Sequence, residues 1–172
     1  MRHNQAVEAA LALSRAPSLA RLLRRQPLPA GITLLLQILA GDSQALNEAK
    51  RLTRLDENEI IDIVELYIFR VMLFRGASPR RILGAEDGDG RSQIRRHMGY
   101  LMAWLHPDKS GNAWRVAFGR RVLEAWRQVN VGTEPLPPTH QRRGSGKILF
   151  VLPWLPPRRE QTLWRRIFDW RS

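Results

Sequence analysis

The sequence predicts an all-α protein: an N-terminal helical bundle packed on an antiparallel helical hairpin, with an irregular basic C-terminal tail. Three observations predict it. Apolar residues recur at intervals of three and four through most of the first 130 positions, the spacing that lays them along one face of a helix. Short Gly, Pro, Asp and Ser punctuation separates these runs, as expected for helices joined by tight turns. Beyond position 131 the periodicity stops and prolines interrupt every apolar run.

Positions 4–15 and 18–25 read as two short helices, with Val7 and Leu11 on the first and Leu19, Leu22 and Leu23 on the second. Pro17 and Ser18 mark the break between them, and Pro27 and Pro29 end the second. Arg21, Arg24 and Arg25 gather at its C-terminus, where cations suit the helix dipole; this is either an anion-binding patch or an ordinary solvated helix end. Gly31 to Ala40 includes ITLLLQILA, an apolar run too short for periodicity to separate helix from strand. Its helical neighbours and the lack of a partner strand favour helix. Gly41-Asp42 is a turn and cap, and Ala45, Leu46, Ala49 and Leu52 define another amphipathic helix.

Residues 56–75 read as one long helix. Asp56, Glu57, Glu59 and Asp62 crowd its N-terminus, while Arg70 and Arg75 lie near its C-terminus, both favourable to the dipole. Its remaining residues are apolar almost all round, which predicts burial, so it is expected to be the central post of the bundle and to touch the hairpin. A DNA-reading helix-turn-helix over 44–66 is disfavoured, because those carboxylates would meet phosphates. Gly76 ends the helix and Ser78-Pro79 starts the next element.

The hairpin occupies 94–126. Ile94, Met98, Leu101, Met102 and Leu105 form one apolar face; Trp114, Phe118, Val122, Ala125 and Val129 form another. Pro107 lacks an N–H and biases His106 away from helical angles, so the first helix stops near Leu105. Asp108, Ser110, Gly111 and Asn112 suit the reversal and the start of the second helix.

Here the sequence resembles the J-domain of DnaJ-type co-chaperones. That family opens with an aromatic-x-x-Leu-Gly-Val word, and this chain has Arg80-Arg81-Ile82-Leu83-Gly84-Ala85. Ten residues past the glycine, where the family begins its basic second helix with Ile-Lys-Lys, stand Ile94-Arg95-Arg96. The signature triplet His106-Pro107-Asp108 follows, then Lys109, and Ala125-Trp126 matches the family's closing Ala-Tyr. The resemblance spans about 79–130, and the chain divides into an N-terminal helical region at 1–78, the J-domain-like region at 79–131, and a Pro-rich linker with a basic, Trp-rich tail at 132–172. It departs from the pattern at Arg80, where the family has an aromatic, and at Gly99 and Tyr100, where it usually has basic residues.

The resemblance implies that His106, Pro107 and Asp108 engage a DnaK-type chaperone ATPase and trigger its ATP hydrolysis. Arg95 and Arg96, with Lys109 extending them, would steer the corner towards an acidic partner face. Two other readings stay open. One is a J-fold adaptor that no longer activates an ATPase; the other is a basic nucleic-acid-binding protein, the less favoured.

Net charge is +12, distributed as +5 over 1–55, −3 over 56–78, +4 over 79–138 and +6 over 139–172. Such an excess favours anionic partners. There is no cysteine, which excludes disulfides and thiolate chemistry and fits a reducing compartment. No signal peptide or run of ~20 apolar residues is present, so the expected setting is cytoplasmic. The tail segment 147–171 carries Trp164 and Phe168 beside Arg165, Arg166 and Arg171. It suits a membrane surface, an acidic protein groove or the body's own apolar patch. A client or acidic protein could equally meet the N-terminal bundle.

No catalytic constellation, cofactor site or metal site is expected. His3, His97, His106 and His140 offer no ligand pair with a third ligand. GAEDGDG at 84–90 lacks the Lys-Ser/Thr of a phosphate loop and the twelfth-position glutamate of a calcium loop. It reads as the loop between the first two J-like helices.

Overall fold

Three side-chain caps set the starts of helices. Asp42 Oδ1 accepts from the N–H groups of Gln44 and Ala45 at 2.9 and 3.2 Å. Asp56 and Glu59 form a reciprocal capping box at 2.9 and 3.1 Å, and Ser78 Oγ accepts from Arg81 N–H at 3.3 Å. Each satisfies backbone donors that the first turn of a helix leaves unpaired. The computed structural model describes residues 5–85, 88–105 and 113–130.

Within them the helices are α1 (Gln5–Arg15), α2 (Ala20–Arg25, entered through a 3₁₀ turn at Pro17–Leu19), α3 (Ile32–Ala40), α4 (Ser43–Thr53), α5 (Glu57–Tyr67), α6 (Pro79–Ile82), α7 (Arg91–Leu105) and α8 (Ala113–Asn130). The described residues contain no strand, and those up to Val129 belong to one compact unit. All-α architecture is therefore as the sequence predicts. The tail and its expected irregularity lie outside the described residues.

The undecided run ITLLLQILA is helix α3, bounded by Gly31 and Gly41, both in the left-handed region. Six of its nine residues are buried, each worth about 1.5–3 kcal/mol of apolar burial. Its neighbours explain why: α1, α4, α5 and, most extensively, α7 all pack on it. α3 is thus a buried centre beside the 56–75 segment to which the sequence points, whose α5 itself packs on α1, α3 and α4. A nine-residue apolar run is buried on nearly all sides because four helices surround it.

The helix expected over 56–75 is also interrupted. Regular α-helix ends at Tyr67, and Ile68–Met72 continues as a π-helical turn in which Leu73 N–H donates to Ile68 O at 2.9 Å. Widening and ending the helix here frees carbonyls, and arginines from other helices take them. Arg24 Nε donates to Arg70 O at 2.6 Å, and Arg121 donates to Leu73 O and Phe74 O. Cations at a helix C-terminus satisfy these orphan acceptors and complement the dipole. Burial pushes the Arg24, Arg81 and Arg121 guanidiniums below the usual arginine range.

Candidate partner-binding site

α7 presents two different faces. Ile94, His97, Leu101, Trp104 and Leu105 are buried, while Arg91, Arg95, Arg96, Gly99 and Ala103 are exposed. The buried set corrects the expected face: Met98 and Met102 are only half-buried, and His97 and Trp104 take the inner positions. The spacing 94, 97, 101, 104 is as helical as the one read from Met residues. The signal was present but was carried by side chains with polar atoms.

Trp104 is the last aromatic before the corner and Trp114 the first after it. Their ring centroids are 6.1 Å apart, and both rest on Phe69 of the π-helical turn, at 5.3 and 5.2 Å. Phe118 completes the group at 5.1 Å from Phe69 and 6.1 Å from Trp114. Tilted and edge-on pairs at these separations suit the ring quadrupoles. Trp104 Nε1 donates to Glu65 Oε1 at 3.1 Å, and Arg115 donates to Trp104 O. The ends of α7 and α8 that border residues 106–112 are thereby fixed to one another and to the end of α5.

The opposite half of α7 is held by a polar network. His97 is 2% exposed. Its Nδ1 lies 3.2 Å from Leu83 O; since a carbonyl only accepts, Nδ1 carries the proton. Nε2 then accepts, with Gln93 Nε2 and Thr33 Oγ1 each at 2.8 Å. Gln93 Nε2 also donates to Thr33 Oγ1 at 2.9 Å, and its Oε1 receives Arg96 Nη2. That last bond fixes the amide orientation. Arg96 is therefore anchored at the surface end of a chain that runs through Gln93 to His97 and Thr33 on α3.

Desolvation dominates the titration of His97 and pushes its pKa down; the Leu83 and Gly84 carbonyls and Asp89 oppose this, while Arg96 adds to it. The neutral form is thus the native one, and the unfolded chain binds a proton first, at about pH 6.5. Stability from this group is complete above that pH and is lost as pH falls towards the lower folded value. We expect the wild-type melting temperature to fall between pH 7.5 and 5.5, and His97→Gln to flatten that slope. Parallel slopes would show that His97 does not control acid sensitivity. Asp62, whose pKa burial raises with help from Asp56, contributes with the opposite sign and at lower pH.

Of the six expected contact residues, the structure places two. Arg95 and Arg96 are both exposed on α7; His106, Pro107, Asp108 and Lys109 lie outside the described residues. Gly84 is tightly constrained: its φ is +65°, and an added Cβ would stand 3.0 Å from Ile32 Cγ2 and Met72 Cε and 3.3 Å from Leu36 Cδ1. Sequence reasoning missed Phe69, Gln93, His97 and Trp104 as organisers of the site. Among the described residues no cluster of His, Cys, Asp or Glu could hold a metal ion, and no helix is long and apolar enough to cross a membrane. The chain matches no family model, no curated protein and no solved structure.

Proposed function

We propose that the protein is a J-domain co-chaperone whose corner His106-Pro107-Asp108 binds a DnaK-type chaperone ATPase and stimulates ATP hydrolysis. The observation that carries this reading is the register of the triplet with Leu83-Gly84, Ile94-Arg95-Arg96 and Ala125-Trp126. Three features support it. Gly84 sits in a left-handed, tightly packed position that only glycine fills without strain. Arg95 and Arg96 face solvent on α7, as steering cations must. Trp104 and Trp114 join the two stems of the corner, which reduces the ordering entropy lost on binding.

On this reading each residue has a distinct task. Pro107 stiffens the corner, Asp108 offers a carboxylate to an arginine of the ATPase, and His106 supplies a directional hydrogen bond beside it. Arg95, Arg96 and Lys109 orient the encounter with an acidic face, an effect that weakens with salt. The protein itself performs no chemistry; the partner hydrolyses ATP. Residues 1–78 and the tail would then set the client or location to which the ATPase is brought.

Single-turnover ATP hydrolysis by a DnaK-type chaperone tests this. Wild-type protein should accelerate the turnover, and His106→Gln or Asp108→Asn should not, with helix content unchanged in both. Absence of acceleration by wild type would leave the adaptor reading, in which Gly99 and Tyr100 on α7 mark a weakened positive face.

A further inference from the structure

We propose that α2 and the segment from Arg70 to Arg81 form a second interaction face, which docks on an anionic phospholipid surface. It is independent of the co-chaperone reading and of the basic tail. Residues 16–41 contain three arginines and residues 66–85 four, and neither stretch contains an aspartate or glutamate. The fold brings these two stretches together. Arg24 bonds to Arg70 O and lies 4.9 Å over the Phe74 ring, while Arg81 donates to Leu23 O and Gln26 O.

The bonds formed by Arg24 and Arg81 hold those guanidiniums in place against neutral carbonyls, so their charge is not cancelled. Arg21, Arg25 and Arg75 are exposed on the same two stretches. Burial, and after it the charge of Arg21, push the Arg24 pKa down, so a second cation lies close enough to Arg24 to be felt. An external polyanion relieves that repulsion, and the planar guanidinium fork matches phosphate oxygens.

Leu22 selects the kind of polyanion. It is 53% exposed and stands on α2 between Arg21 and Arg25. An apolar side chain ringed by arginines suits the headgroup boundary of a bilayer, where it enters the acyl region while the cations meet phosphates. A nucleic acid would leave Leu22 in water. The face also offers no free ring for base stacking, because Arg24 covers Phe74.

The experiment is sedimentation of the full chain with vesicles of phosphatidylcholine alone or with phosphatidylglycerol added. The wild type is compared with Arg21→Gln/Arg25→Gln/Arg75→Gln and with Leu22→Ser, helix content being checked by circular dichroism. The tail is identical in every protein. The triple variant should partition into phosphatidylglycerol vesicles about a hundredfold more weakly, from the loss of three surface cations, and Leu22→Ser several-fold more weakly. An unchanged partition of the triple variant overturns the proposal. So does release of the wild type by inorganic phosphate at matched phosphate concentration, which would mark a single-anion site. Loss of duplex DNA binding in the triple variant, with vesicle binding intact, would assign the face to nucleic acid instead.

Discussion

Phe69→Ala is expected to destabilise the protein by about 3–5 kcal/mol, the usual cost of removing a buried aromatic side chain. Phe69 is 6% exposed, and its ring lies within 5.3 Å of those of Trp104, Trp114 and Phe118. Its loss therefore leaves a cavity shared by α5, α7 and α8 rather than a local gap. Against a typical total of about 5–15 kcal/mol, the variant should still fold at low temperature, with a lower urea midpoint. If the corner works as proposed, ATPase stimulation should fall under conditions where helix content is retained, because its two stems are no longer held together. Phe69→Leu, which keeps most of the volume, should recover much of both properties. A wild-type midpoint for Phe69→Ala would show that the ring group does not brace the ends of α7 and α8.

Gly84→Ala should cost about 2–5 kcal/mol from two separable sources. A left-handed φ costs a residue with a Cβ about 1–2 kcal/mol. Overpacking adds about 1–3 kcal/mol where neighbours must shift, and here the new methyl would meet Ile32 Cγ2 and Met72 Cε at 3.0 Å. Met72 Cε is the end of a flexible chain and can yield; Ile32 Cγ2 is branched at Cβ and cannot move far. Gly41→Ala provides the control: φ is +92°, yet an added Cβ meets nothing within 4 Å. Urea denaturation should show the Gly41 variant losing only the backbone contribution. Equal losses at both sites would mean that the packing around Gly84 is more forgiving than its distances indicate.

Particular residues show which parts of this molecule the sequence makes readable. Helix starts at Asp42, Asp56 and Ser78 were legible because a cap is a local event, a side-chain oxygen two or three residues from the N–H it accepts. The existence of α7 and α8 was legible from apolar spacing alone. The exact inner face of α7 was not, because His97 is buried only by virtue of partners 14 and 64 residues away, Leu83 and Thr33. Nor was the π-helical turn after Tyr67. Its carbonyls are taken by Arg24 and Arg121, 46 to 48 residues distant, and no local pattern encodes such a bond. The residues of the corner itself were chosen entirely by motif, and four of the six stand outside what the structure describes.

The packing of α7 on α3 has a consequence for anyone treating the corner as a cassette. Thr33 supplies part of the His97 network, and Ile32 and Leu36 wall the space beside Gly84. A segment cut at Pro79 would therefore carry His106-Pro107-Asp108 but lose the side of α3 on which α7 packs. Chimaeras that graft α7 and α8 onto another protein, or replace them with foreign helices, must transplant α3 or redesign its contact side; the unit of exchange is larger than the motif.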